Sequence, residues 1–290
     1  MSLYDTIVEP FVAYGFMRRA LLGCVTLTLG SVPLGVLLII RRMSLMGDAM
    51  AHAILPGAAV AFLFAGLSLT AMTVGGIVAG LAVALLAGVI SRMTPLREDA
   101  SFAAFYLISL GLGVLLVSTR GSNVDLMHVL FGTVLALNDA AIVLILACTT
   151  ISLNVLALIY RIFIAECVNP VFLRGVSVAG SAVHLTFLAL VVLNLVAGFQ
   201  ALGTLMVVGI MILPAAGAAF WSATVPGRFA VGAAFGIVAS LGGLLVSYHH
   251  DLPASPAIIL GAGALYIVSV LFGPRGSLLA QALAWPHLQR

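Results

Sequence analysis

The chain has 290 residues, of which 63% are hydrophobic and only 7% are charged, against about 25% charged residues in an ordinary soluble domain. This composition, with a mean hydropathy of +1.28, excludes a soluble globular protein and predicts a polytopic membrane protein. All 12 basic residues are arginines, so the net charge of +3 indicates arginines that flank the membrane and argues against a nucleic-acid-binding patch.

Nine apolar segments approach the length of about 20 residues that a transmembrane helix needs. They run roughly over Ala20–Ile40, a second segment that ends near Leu67, Leu69–Ile90, Phe102–Val117, Val134–Tyr160, Val178–Ala197, Gly203–Ala219, Phe229–Val246 and Pro256–Phe272. A short interfacial helix is expected before them, from Val8 to Phe16, and Gly198-Phe199-Gln200 is expected to form a tight turn after the sixth segment. If the first segment does not cross fully, the count falls to eight. We therefore predict an all-α transmembrane bundle of eight or nine spans, a single domain over residues 1–290 with residues 17–273 embedded in the membrane.

The arginines also predict the orientation of the bundle. Most of them lie in loops that an alternating chain places on one side, and the positive-inside rule assigns that side to the cytoplasm. These loops are at 41–42, 92–97, 161–174 and 228, with the tail at 275–290. Arg18-Arg19 is the exception, because the same count places it outside.

The second segment carries a carboxylate and an imidazole, Asp48 and His52, four residues apart. On a helix this spacing puts both side chains on one face, about one turn apart. Ionisable groups at membrane depth are costly and usually mark a pathway, and oxygen and nitrogen ligands suit Zn²⁺ or Mn²⁺. Pro56-Gly57 predicts a loosened or broken helix beside them. The alternative interpretation is that Asp48 caps a helix or lies in a loop near the arginines.

The stretch SLMGDAMAHAILPG, which contains both residues, resembles the signature of the metal-ion permeases of bacterial ABC importers. The segment Gly203–Ala219 resembles a second signature of the same family. The resemblance implies that Asp48 and His52 contact the passing metal, and that the chain is a transport subunit of the inner membrane. It also implies three partners: a cytoplasmic ATPase, an extracytoplasmic metal-binding protein and a second copy of the chain. No permanently bound cofactor is expected. Zn²⁺ is the favoured cargo because the candidate contacts include imidazoles, with Mn²⁺ or iron as alternatives.

A polar interruption follows the fifth segment. Asn169-Pro170 has the pattern of a helix start, and Arg174-Gly175 that of a helix end. The segment 161–176 resembles the cytoplasmic coupling helix of the family, although the family commonly has Asp where this chain has Asn169. We therefore expect Asn169, Pro170, Phe172 and Arg174 to contact the ATPase.

Several further polar residues have two interpretations each. Asp125 and His128 fit a solvated loop better than an entry site, and His184 fits a core histidine better than a group that supports a metal ligand. His249, His250 and Asp251 lie in a predicted outward loop that could capture a cation, but adjacent histidines point apart and do not easily bind one ion together, so this interpretation is disfavoured. The functional alternatives are an ion-coupled transporter, disfavoured by the scarcity of intramembrane carboxylates, and a membrane metalloprotease, disfavoured by the absence of HExxH.

Overall fold

The computed structural model describes residues 4, 7–66, 68–94, 98–119, 134, 137–168 and 179–284. The regular elements in these ranges are all helical, which confirms the predicted all-α class. In chain order the helices are α1 (Glu9–Ala13), α2 (Gly15–Ile40), α3 (Ser44–Ala65), α4 (Leu69–Met93), α5 (Glu98–Thr119), α6 (Asp139–Val168), α7 (Ala179–Leu202), α8 (Thr204–Ala218), α9 (Val225–His250), α10 (Ala254–Phe272) and α11 (Leu278–Ala284).

Seven helices in the described part of the chain are long and apolar enough to cross a membrane: α2, α3, α4, α6, α7, α9 and α10. Two further apolar stretches are shorter, Asp99–Leu112 within α5 and Thr204–Ala218, which is α8. The count of eight or nine spans depends on whether these two also cross. It therefore stays a prediction.

The centre of the bundle is formed by α2 and α7, since 78% and 72% of their most apolar stretches are buried, against 22–44% for the other five spans. Polar contacts tie these two helices to α6. The Asn194 side chain on α7 donates to Ser152 Oγ at 2.5 Å, and Thr149 on α6 donates to the carbonyl of Thr26 at 3.3 Å. Interhelical hydrogen bonds of this kind hold helices together where lipid offers no hydrophobic driving force.

Side-chain contacts identify the two ends of the bundle. At one end Arg19 at the start of α2 lies 3.2 Å from Asp139 at the start of α6, and the Tyr14 and Tyr248 rings are 5.6 Å apart. At the opposite end Arg41 follows α2, and it lies 2.9 Å from Glu166 near the end of α6. Helix α2 therefore runs the full distance between the two ends. Arg19, which the orientation count placed outside, is paired with the carboxylate of Asp139.

Three boundaries differ from the sequence prediction. The turn after α7 is at Gly203, with φ +90°, whereas Gly198-Phe199-Gln200 was expected to turn; Gly198 instead lies against Val207, where an added Cβ would come within 2.5 Å of a methyl group. Helix α6 continues to Val168 instead of ending near Tyr160, because no proline or glycine interrupts it. Helix α9 continues to His250, and Asp251 closes it with φ +52°.

The predicted break at Pro56 is wrong, because α3 continues through it to Ala65. Proline removes only one backbone donor and its cost is tolerated in packed membrane helices. The neighbouring Gly57 has a packing role. A Cβ on Gly57 would collide with the carbonyl of Gly75 on α4, and a Cβ on Gly75 would collide with the carbonyl of Gly57. The two helices therefore meet backbone to backbone.

Candidate metal pathway

Asp48 and His52 lie within α3, one turn apart. The Oδ1 atom of Asp48 is 3.6 Å from Nε2 of His52, and their side chains are 61% and 28% exposed. The helix begins at Ser44 and Met43 occupies its N-cap position, so the interpretation of Asp48 as a cap or loop residue is wrong. Both side chains lie on one face of α3, as their four-residue spacing predicted.

The pair opens on a cavity of about 460 Å³ between α3, α8 and α10. The contributions from α3 are Ser44, Leu45, Asp48, Ala51 and His52, and those from α8 and α10 are Thr204, Leu205, Val208, Gly209, Ile212, Leu213 and Ile259. Among these residues only Asp48 and His52 are ionisable. Among the lining residues Asp48 carries the only carboxylate, so it is the group at this cavity that can attract a cation.

Helix α5 supports the pair from another side. The ring of Tyr106 lies 5.6 Å from the imidazole of His52, and Ser109 donates to the carbonyl of Ala53 at 3.2 Å. Sequence reasoning missed Tyr106, because nothing in the local pattern connects it with His52. Pro56 was one sequence signal for an outside contact near His52. Proline has no N–H, so it leaves the carbonyl of His52 without its usual helical donor.

Within the described residues, one chain brings only two candidate metal ligands to this cavity. No group of three or more His, Cys, Asp or Glu side chains that could hold an ion occurs among the described residues. A tetrahedral Zn²⁺ site needs four ligands, and Mn²⁺ usually takes more. The pair with its cavity can attract a divalent cation and replace part of its water shell, but it leaves coordination positions for water or for another chain.

The remaining predicted residues separate into two groups. Asn169, Pro170, Phe172 and Arg174, with Asp125 and His128, lie outside the described residues. The histidines at 184, 249 and 250 are described. His184 is buried, with 3% of its surface exposed, and it contacts Arg41, in agreement with the interpretation as a core histidine. His249 packs against Tyr248 with ring centroids 5.2 Å apart, at the end of a helix rather than in the expected loop.

Comparison with known proteins identifies the family. Residues 13–273 match the model of the ABC 3 transport family. The chain belongs to this family, whose members are permeases of metal-ion ABC importers, as its two signature-like stretches predicted. It is thus a transport subunit and a multi-pass protein of the cell membrane.

Relatives and a solved structure agree with this membership over nearly the whole chain. The manganese transport system membrane protein MntC of Listeria monocytogenes is 30% identical over 272 residues, which are 94% of this chain and 96% of that protein. The chelated iron transport system membrane protein YfeD of Yersinia pestis is 28% identical over 270 residues, 93% of this chain and 89% of that one. The structure of PsaBC from Streptococcus pneumoniae in complex with Fab superposes with a TM-score of 0.82 at 26% identity, covering 95% and 98% of the two chains.

Proposed function

We propose that this permease carries a divalent first-row transition metal ion, with Mn²⁺ favoured, and that Asp48 and His52 are its contacts in the pathway. The observation that carries the proposal is the position of both side chains on one face of α3, 3.6 Å apart, at a cavity whose other walls carry no ionisable group. A cation that enters this cavity exchanges water for a carboxylate oxygen and an imidazole nitrogen. Each copy offers two such ligands, and transport requires that the ion stay bound weakly enough to be released.

The choice of metal combines ligand chemistry with the relatives. Asp and His suit Zn²⁺, Mn²⁺ and Fe²⁺ alike, and intrinsic affinity does not by itself select among them. From the sequence alone, the presence of imidazoles among the candidate contacts made Zn²⁺ the expected cargo. The names of the relatives, which include manganese and iron transport proteins, support Mn²⁺ first and iron second. Zinc remains the alternative cargo.

A second copy of the chain is proposed to complete the pathway. Two side chains from each of two copies would give four protein ligands, which one chain lacks within its described part. A closed two-fold arrangement would place equivalent cavities against each other. The exposed Asp48 and the open side of the cavity support an assembly of this kind.

The energy source is proposed to be a separate ATPase subunit. A phosphate-binding loop requires a lysine, and this sequence contains none. The proposed docking segment contains Asn169, Pro170, Phe172 and Arg174, and an extracytoplasmic metal-binding protein is proposed to deliver the ion at the opposite face.

Uptake measurements in metal-depleted cells test the proposal. Cells that depend on this permease are assayed for ⁵⁴Mn, ⁵⁵Fe and ⁶⁵Zn uptake with the native chain, with Asp48→Asn and with His52→Ala. Phe64→Ala, which alters an 88% exposed residue of the same helix away from the cavity, serves as the matched control. We expect loss of manganese uptake in both ligand variants at unchanged membrane abundance. Normal uptake in His52→Ala at normal abundance would contradict the pathway.

A further inference from the structure

A buried charged cluster around Arg41 lies at the end of the bundle opposite Arg19. It does not include Asp48 or His52. The Arg41 guanidinium is 2.9 Å from the Glu166 carboxylate, and their side chains are only 11% and 10% exposed. The Arg41 side chain also contacts Nδ1 of His184 and lies 4.5 Å from the centre of the Phe163 ring. The Arg41 guanidinium therefore connects the end of α2 with the end of α6 and the start of α7.

The two partners of Arg41 lie on the helices before and after residues 169–178, which include the residues proposed to dock on the ATPase. Glu166 lies in the last turn of α6, which ends at Val168, and His184 lies near the start of α7, which begins at Ala179. The helices on either side of those residues therefore contact the same guanidinium. A movement of the docking residues that reaches α6 or α7 would reach Arg41 through these two contacts.

On its other side Arg41 is joined to the metal-contacting helix by a tight turn. Arg42 has a left-handed backbone, with φ +59°, and the N–H of Met43 bonds to the carbonyl of Leu38 at 2.9 Å. A non-glycine residue with positive φ persists where its surroundings dictate it. Helix α3 then begins at Ser44 and carries Asp48 one turn later. Arg41 is thus connected to the Asp48 carboxylate by a constrained turn and a single turn of α3.

The cluster is costly as a purely structural device. Two charges removed from water lose much of their hydration, and hydrophobic residues of the same volume often stabilise a protein as well or better. Arginine is suited to such a site because its planar cation can pair with a carboxylate and stack on an aromatic ring at once. A directional link between helices justifies this cost better than stability does.

We propose that the Arg41–Glu166 pair is a positioning link that transmits movement of the ATPase-docking segment to the helix that carries Asp48 and His52. The inference rests on the proposed function, because it presumes that residues 169–174 dock on the ATPase. Arg41 and Glu166 do not touch the metal. They act by making the start of α3 follow the ends of α6 and α7.

The test uses the complete complex, purified with its ATPase and reconstituted in proteoliposomes. Arg41→Gln and Glu166→Gln are studied singly and together, because the double variant leaves no unpaired charge buried and should fold even where a single variant does not. The matched control is Arg275→Gln, which removes the same charge from an exposed arginine after α10. Metal uptake, ATP hydrolysis and the ratio of ions moved per ATP are measured for each, since a merely structural role would not alter that ratio.

We expect the double variant to retain its ATPase and hydrolyse ATP while moving about tenfold fewer ions per ATP, the range of a moderate coupling between sites. Arg275→Gln should keep the native ratio. A native ratio in the double variant would overturn the link, and so would loss of the ATPase or of the folded permease in the double variant. Failure of the proposed metal pathway is distinguished separately, because it would appear as normal uptake in Asp48→Asn.

Discussion

The imidazole of His52 packs beside the ring of Tyr106, with 5.6 Å between the ring centroids and 35° between the ring planes. Tyr106 belongs to α5, so a neighbouring helix restricts the rotamers that His52, a proposed metal contact of α3, can adopt. Ligands held in one orientation by their surroundings bind metals better than mobile ones. If the proposed pathway holds, α5 belongs to it through this contact, although α5 contributes no residue to the described cavity.

Replacement of Tyr106 should weaken the handling of metal without removing a ligand. Tyr106→Ala should lower the apparent affinity for Mn²⁺ in uptake by about tenfold, the scale on which residues that orient ligands act. Tyr106→Phe should transport normally, because the ring remains. Leu107→Ala, at the adjacent 59% exposed position, is the control. Equal apparent affinity in Tyr106→Ala and in the native chain would show that the ring contact does not orient His52.

The proposed second copy predicts a mixed-complex result. Asp48→Asn and native chains with different affinity tags are coexpressed, and complexes that contain one of each are isolated and reconstituted. If one pathway uses ligands from both copies, the mixed complexes should transport far less than half as fast as native ones. Transport at half the native rate would indicate two independent pathways, and one permease chain per complex by native mass spectrometry would refute the dimer.

Changes in the proposed docking segment should separate binding of the ATPase from contact with metal. Phe172→Ala and Arg174→Ala should reduce copurification of the ATPase and uptake together, because both side chains are proposed to lie in its groove. Arg275→Ala, which removes an exposed arginine after α10, should leave both unchanged. Undiminished association of the ATPase with the Phe172→Ala, Arg174→Ala double variant would place the docking surface elsewhere.

The left-handed Arg42 predicts an unusual order of stabilities at a single position. Glycine adopts φ +59° freely, whereas a β-branched residue does so at a penalty of about 1–2 kcal/mol. Arg42→Gly should therefore melt at the native temperature or above it, and Arg42→Val several degrees below. Both variants lose the same charge, so each is the control for the other. Equal melting temperatures in detergent would mean that the turn relaxes to an ordinary backbone.

Local features of the site could be predicted from the sequence, whereas its walls and supports could not. The four-residue spacing of Asp48 and His52 fixes their common face once a helix is assumed, and composition was sufficient for the all-helical class. The partners of these residues come from distant parts of the chain. No periodicity connects Val208 or Ile259 with Asp48, or Glu166 with Arg41, because helix packing decides those contacts.

The boundary errors have a common physical origin. Glycine and proline were interpreted as local signals, yet Gly198 and Gly57 are small to let another helix approach, and Pro56 lies inside a continuous helix. Gly203, with its positive φ, is the glycine that does turn the chain. The sequence does not distinguish a glycine needed for conformation from one needed for space.

The backbone contact between Gly57 and Gly75 determines which parts of the permease can move separately. Helices that meet without intervening side chains have interlocked surfaces, so α3 cannot slide along or rotate against α4 without a steric collision. A rearrangement that alternately exposes Asp48 and His52 to the two sides of the membrane must therefore carry α3 and α4 together as one rigid body.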